Sequence, residues 1–348
     1  MSLSRRALLG AGLAVAACDH SAGAQSLAPV LSPLKSLAPF PIGTCVQASQ
    51  LGDPAWVNLA LAQCNQLTPE WEMKMEYIVQ SDGSFRFDRP DQIAGFARSR
   101  GLRLYGTTLV WYSQRPEGFV NLDENRVAFG RAYDNYITAV VGRYRGAVGW
   151  DVVNEAVAED GEGLRDSLWS QKLGAVDHIR RAFDVARAAD PQAILFLNDY
   201  NLEYLPKKLA TFERLVEQLL KAGTPIGGIG TQTHLAVDLV PGAVGRSLAA
   251  LARFGLPIHM SELDVSLTRG ERQMPTRAQG LAAQARVYEE VAGAFAALPP
   301  QQRFALTLWG LRDKDSWLVG RDPADAPAAF DDASRPKAAA VSLANGLA

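Results

Sequence analysis

Cysteine and histidine are scarce in this sequence, and neither sign of charge is in excess. The 348 residues hold three Cys and four His, with 35 Lys+Arg against 37 Asp+Glu and a formal net charge of −2. Three cysteines fall far short of a disulfide-stapled scaffold. If Cys18 belongs to a leader, Cys45 and Cys64 remain, and they are expected as two small buried hydrophobes. The histidines show no H-x-x-x-H or clustered spacing, so no metal and no other cofactor is expected. Without a basic excess, nucleic acid is not an expected partner. What is plentiful is apolar residue, 48% of the chain, which suffices for a core and excludes a disordered chain.

A long hydrophobic run is also lacking. The apolar stretch Ala7 to Ala17 covers 11 residues, against about 20 needed to cross a bilayer. It follows Arg5-Arg6, and a twin arginine ahead of a short apolar run reads as an export signal, with an ordinary secretory signal as the alternative. Two cleavage patterns compete. Ala22-Gly23-Ala24 is an A-x-A site, whereas Val15-Ala16-Ala17-Cys18 resembles a lipobox that would leave a lipidated Cys18 as the only membrane attachment. Residues 1–25 are therefore assigned to the signal, 26–40, with three prolines, to a linker, and 41–348 to one folded domain of an exported, periplasmic or secreted protein. Nothing in the sequence specifies an oligomeric state.

From residue 41 short β-branched apolar runs alternate with longer helical ones. Strands are expected at 41–46, 64–68, 103–111, 148–153, 193–197, 226–231, 257–261 and 304–309. Helices are expected at 171–189, 206–222, 243–254 and 276–297, where apolar residues recur at steps of three and four. Length alone would allow two domains. Eight strands separated by helix-length crossovers in one uninterrupted run instead predict an α/β fold, a single (β/α)8 TIM barrel. In such a barrel the chemistry sits where strands end, so the polar residues just past each apolar run are the ones to inspect.

Two strand ends carry a carboxylate in similar company, Gly149-Trp150-Asp151-Val152-Val153-Asn154-Glu155 and Pro257-Ile258-His259-Met260-Ser261-Glu262-Leu263-Asp264. Strands four and seven can face each other across the barrel mouth. Hydrolysis of a glycosidic bond needs two such carboxyls, one protonated to assist the leaving oxygen and one ionised to attack or to activate water. Taken singly, Glu155 and Glu262 would serve equally well as caps of following helices.

Taken together, the motifs resemble glycoside hydrolase family 10, the endo-β-1,4-xylanases. The resemblance rests on Trp150-Asp151-Val152-Val153-Asn154-Glu155-Ala156, Gly228-Ile229-Gly230-Thr231-Gln232-Thr233-His234-Leu235, Ser261-Glu262-Leu263-Asp264 and Trp309-Gly310-Leu311-Arg312-Asp313-Lys314-Asp315-Ser316-Trp317. It extends in order through Thr68-Pro69-Glu70, Leu109-Val110-Trp111, Asn198-Asp199-Tyr200-Asn201 and Arg335-Pro336-Lys337. What it implies is a retaining hydrolase of xylan, with Glu155 as general acid/base and Glu262 as nucleophile. His234 would hold Glu262 and be held by Asp264, with Gln232 beside it, and Asn154 would donate to the sugar 2-hydroxyl. Glu70, Lys74, Trp111, Trp309 and Trp317 would contact the glycone and catalytic subsites, and Tyr200 a sugar on the leaving-group side. Each has a plainer alternative: a helix cap for Asn154, a solvated lysine for Lys74, a structural histidine for His234 and core packing for the aromatics.

The chain departs from the family pattern in one region. The family's Glu-Asn-x-Met-Lys-Trp stands here as Glu70-Trp71-Glu72-Met73-Lys74-Met75, and its Gly-His-Thr-Leu-Val-Trp-His as Gly106-Thr107-Thr108-Leu109-Val110-Trp111-Tyr112. Trp71, Thr107 and Tyr112 thus replace an amide and two imidazoles after strands two and three, where the family builds its glycone subsites, and altered specificity is expected. Besides a xylanase, two readings compete: a retaining glycosidase of another or decorated β-glycan, and a carbohydrate-binding protein without catalysis. The paired carboxylates argue against the last.

Overall fold

The computed structural model describes residues 31–122, 124–272 and 274–348. The export signal, Cys18 and the first five linker residues lie outside them. Eight strands form the barrel wall: β1 Ile42–Val46, β2 Gln66–Pro69, β3 Arg103–Gly106, β4 Gly149–Asn154, β5 Ile194–Asp199, β6 Gly228–Thr231, β7 Ile258–Ser266 and β8 Arg303–Leu308. Each pairs in parallel with the next, and β8 pairs with both β7 and β1, which closes the sheet. Crossover helices follow in turn: α1 Pro54–Gln63, α2 Asp88–Ser99, α3 Arg126–Arg143, α4 Asp177–Ala189, α5 Pro206–Lys221, α6 Ala243–Ala252, α7 Arg277–Ala296 and α8 Ala338–Leu347. This is the expected (β/α)8 barrel.

Local chemistry explains the elements. Asp53 accepts the N–H groups of Ala55 and Trp56 to start α1, where Pro54 sits at a position that needs no donor. In α4 the buried residues Ile179, Ala182, Phe183 and Ala186 recur on one face, which packs on the barrel. Gly174, at φ 93°, ends a short helix Leu168–Leu173 ahead of α4, so the expected helix 171–189 is two elements. The expected strand 103–111 likewise divides, into β3 and a short outer strand Val110–Trp111 that pairs with the end of β4.

The barrel begins before residue 41. Leu34–Leu37 is a helical turn whose Leu34 is fully buried and donates its N–H to Gln63 Oε1 at 2.9 Å. Phe40 meets Phe295 of α7 edge-on at 4.8 Å. The described part of the assigned linker is therefore packed structure. Cys45 and Cys64 are buried and unbridged.

The barrel floor is filled by Tyr105, Phe196, His259 and Phe304, whose rings lie 4.4–5.9 Å apart between centroids. That layer seals the bottom and leaves the C-terminal ends of the strands open to solvent.

Candidate active site

The C-terminal ends of the strands surround a cleft of about 740 Å³. Glu155 and Glu262 both line it, each less than a tenth exposed. Glu262 lies inside β7, and Glu155 directly follows β4, well before the next helix, so neither caps a helix. Glu155 has φ 58°, in the left-handed region. Such a conformation costs a non-glycine residue about 1–3 kcal/mol and persists at functional sites. Asn154 closes β4 and caps nothing either. A register shift between Asp151 and Val153 brings Asn154 opposite Asn198 at the end of β5.

A chain of amides joins the two carboxylates. The Gln232 amide donates to Glu155 Oε1 at 3.0 Å and to Asn154 Oδ1 at 3.1 Å. Asn198 donates to Asn154 Oδ1 at 3.0 Å and to Glu262 Oε1 at 3.4 Å, and its own Oδ1 accepts from Ser261. A Cβ on Gly230 would lie 2.3 Å from Asn198 Oδ1, so glycine there makes room for the amide. Burial holds the Glu155 carboxyl above the ordinary glutamate range, opposed by the Gln232 amide and reinforced by the negative charges of Asp199 and Glu262.

Strand register explains His234. Beyond the barrel wall β7 continues and pairs in parallel with the short strand His234–Ala236, which sets His234 opposite Asp264. Glu262 and Asp264, two residues apart in one strand, face the same side. The imidazole stands between them, Nδ1 at 2.9 Å from Asp264 Oδ2 and Nε2 at 3.3 Å from Glu262 Oε2. Trp317 Nε1 donates to the same Asp264 oxygen at 2.8 Å. Burial alone would depress the imidazole, but the two carboxylates outweigh it and raise it to about 9.

At one end of the cleft lie Glu70, Lys74, Trp71, Trp111 and Trp309. The Lys74 ammonium lies 4.4, 4.8 and 5.9 Å from the ring centroids of Trp71, Trp111 and Trp309. Lys74 is only 8% exposed, so it is a cation held among indoles, not a solvated helix lysine. Glu70 accepts from Gln47 at 2.9 Å, and burial raises its carboxyl. Trp71 is 40% exposed at the lip.

Tyr112 and Tyr200 line the same cleft, and the Tyr112 ring lies 6.1 Å from that of Trp111. Arg165 lies 4.2 Å over the Tyr112 ring, donates to the Tyr200 hydroxyl at 2.7 Å and to the Glu155 carbonyl at 3.1 Å. Beneath Tyr200, the fully buried pair Asp199–Lys208 closes at 3.0 Å, and Asp199 also accepts the N–H groups of Val157 and Tyr200.

Of the three departures, Trp71 stands directly against Lys74. Tyr112 contacts both the Trp111 ring and Arg165. Thr107 is 2% exposed and does not line the cleft, so the expectation that it alters a sugar contact is corrected: its side chain is buried beside Asp151. Trp56, Trp150 and Trp169 are core. Sequence reasoning passed over Asn198, which the strand-end rule would have found, and Gln47, Arg165, Arg269 and Arg321, which come from loops without periodic signal.

A (β/α)8 barrel presenting two buried carboxylates across an open, indole-lined cleft has the architecture of a glycoside hydrolase. The chain belongs to glycosyl hydrolase family 10, whose profile matches residues 34–345. It is similar to the endo-1,4-beta-xylanase A of Caldicellulosiruptor saccharolyticus, 36% identical over 320 residues, 86% of this chain and 91% of that protein. It is also similar to exoglucanase XynX of Acetivibrio thermocellus, 33% identical over 88% of this chain, although the chain spans only 28% of that relative's length. Among solved structures, a thermostable mutant of xylanase Xyn10A from Cellvibrio japonicus superposes with a TM-score of 0.82 at 32% identity, covering 90% of this chain and 99% of that one.

Proposed function

We propose that the protein is a retaining, endo-acting β-1,4-xylanase whose glycone end is modified by Trp71. The observation that carries this reading is the hold on Glu262. A protonated His234 and the Asn198 amide both point at its carboxylate, the group placed to attack the sugar. Glu155, raised by burial, keeps the proton that the leaving oxygen needs. Once Glu262 is consumed as a glycosyl ester, its negative charge disappears, and Glu155 can then take a proton from the incoming water. Asn154, bonded on its acceptor side by Gln232 and Asn198, turns its Nδ2 towards Glu155 at 3.3 Å and is poised to donate to a sugar hydroxyl.

Openness of the cleft supports internal cleavage of a long chain. The single exposed indole at the lip favours a second reading, a preference for a decorated or different β-glycan, because Trp71 offers a stacking face where the family has an amide. A sugar-binding protein without catalysis would have no use for a nucleophile held by an imidazolium. The test is a product profile of the purified protein on linear xylan, arabinoxylan, glucuronoxylan and mixed-linkage glucan. Xylo-oligosaccharides of intermediate length are expected first; hydrolysis of the glucan alone would displace the xylanase reading.

We also propose that the protein is exported, on the strength of Arg5-Arg6 ahead of the apolar run 7–17. Fractionation of cells expressing the Arg5→Lys/Arg6→Lys variant is expected to leave the protein inside, and labelled fatty acid reports on Cys18.

A further inference from the structure

Several arginine side chains of this barrel are paired with a carboxylate, among them Arg143 with Asp91, Arg181 with Asp134, Arg312 with Asp53 and Asp315, and Arg335 with Asp331. Two that line the cleft are not. Arg321 and Arg269 lie over the ring of Trp317 at 4.2 and 6.0 Å from its centroid. Neither guanidinium has a hydrogen bond or an ion pair within the described residues. Their location is fixed by the catalytic network, since Trp317 bonds the Asp264 oxygen that also holds His234.

This arrangement bears on what can enter. An anionic substituent entering the cleft would meet the carboxylates of Glu70, Glu262 and Asp315. Two unpaired guanidiniums one indole away from His234 supply the opposite charge locally. Their planar forks match a carboxylate in bidentate fashion, and stacking over the Trp317 ring holds them beside the cleft.

We propose that Arg269 and Arg321 form a subsite for the carboxylate of a uronic-acid substituent on the glycan backbone. This deepens the xylanase reading and rests on it for the identity of the backbone. Recognition is of a substituent, so the unsubstituted chain binds without using the pair.

Three matched xylo-oligosaccharides test it: one bearing a single uronic acid, the same compound with its carboxyl reduced to a primary alcohol, and the unsubstituted chain. The quantity read is the ratio of kcat/KM for the acid to that for its reduced twin, so a general loss of activity cancels. The wild-type ratio is expected at about tenfold or more and to fall in high salt. In Arg269→Gln/Arg321→Gln it is expected to drop to near one, and in the Lys/Lys variant to an intermediate value, because charge survives but the fork does not. A wild-type ratio near one, or a ratio that survives the double Gln substitution, overturns the proposal. Calorimetric binding of the same compounds separates the two readings: acid-selective binding without hydrolysis of any of them sinks the xylanase reading alone, and binding indifferent to the carboxyl sinks the subsite.

Discussion

His234 Nε2 lies 3.3 Å from the carboxylate of Glu262, and the imidazole is held there from behind by Asp264. Because the ring is raised to about 9, it carries charge through the neutral range and donates to both carboxylates. The sign follows from the direction of the shift. The interaction is fully present below the ordinary histidine value and is lost as pH rises through about 9, when one ring nitrogen becomes an acceptor facing a carboxylate.

On an aryl β-xyloside with a good leaving group, which needs no acid assistance, kcat/KM is therefore expected to hold to high pH and fall near 9. His234→Asn should remove that alkaline limb and lower the plateau by about tenfold to a hundredfold, the worth of a hydrogen bond to a charged group. A limb that stays in place in the variant would assign it to another residue.

Glu155→Ala should lose most activity on unactivated xylan yet retain the first step on activated aryl glycosides. Azide should then restore turnover by attacking the glycosyl-enzyme in place of activated water, yielding the β-azide. Glu262→Ala should respond to neither. Proton NMR of the first product from the wild type should show the β-anomer; an initial α-anomer excludes double displacement.

Trp71→Asn restores the family residue and uncovers the Lys74 ammonium. One or two added hydrogen bonds of about 0.5–1.5 kcal/mol each, together with loss of the indole face, should shift kcat/KM towards linear over decorated xylo-oligosaccharides by about tenfold. Thr107→His should only disturb packing, since that side chain faces Asp151 and not the cleft. An unchanged substrate ratio in Trp71→Asn would leave the indole without a role in specificity.

Lys208→Met should destabilise the fold by about 3–5 kcal/mol, because it strands Asp199 as an uncompensated buried charge beneath Tyr200. Adding Asp199→Asn should recover much of the loss. Urea unfolding measures both, and additive effects of the two substitutions would argue against a coupled pair.

The barrel and its two carboxylates were legible in the sequence because both depend on short-range pattern. Eight β-branched runs separated by helical periods admit few other closures, and Glu155 and Glu262 each directly follow such a run, although β7 continues past Glu262 to Ser266. Residues such as Tyr112, Thr107 and Arg321 were beyond that reach. Tyr112 and Thr107 lie five positions apart in one segment, yet one packs on Arg165 in the cleft and the other is buried beside Asp151. Arg321 owes its place to a contact with Trp317 in a loop of no period. Which side of a loop faces the cleft depends on contacts between distant strands and loops, and a linear pattern carries no record of those. The resemblance anticipated that His234 holds Glu262, but the tertiary structure alone decided that the register of β7 with an outer strand places it there, and that Lys74 is enclosed by Trp71 of its own segment together with Trp111 and Trp309 from distant parts of the chain.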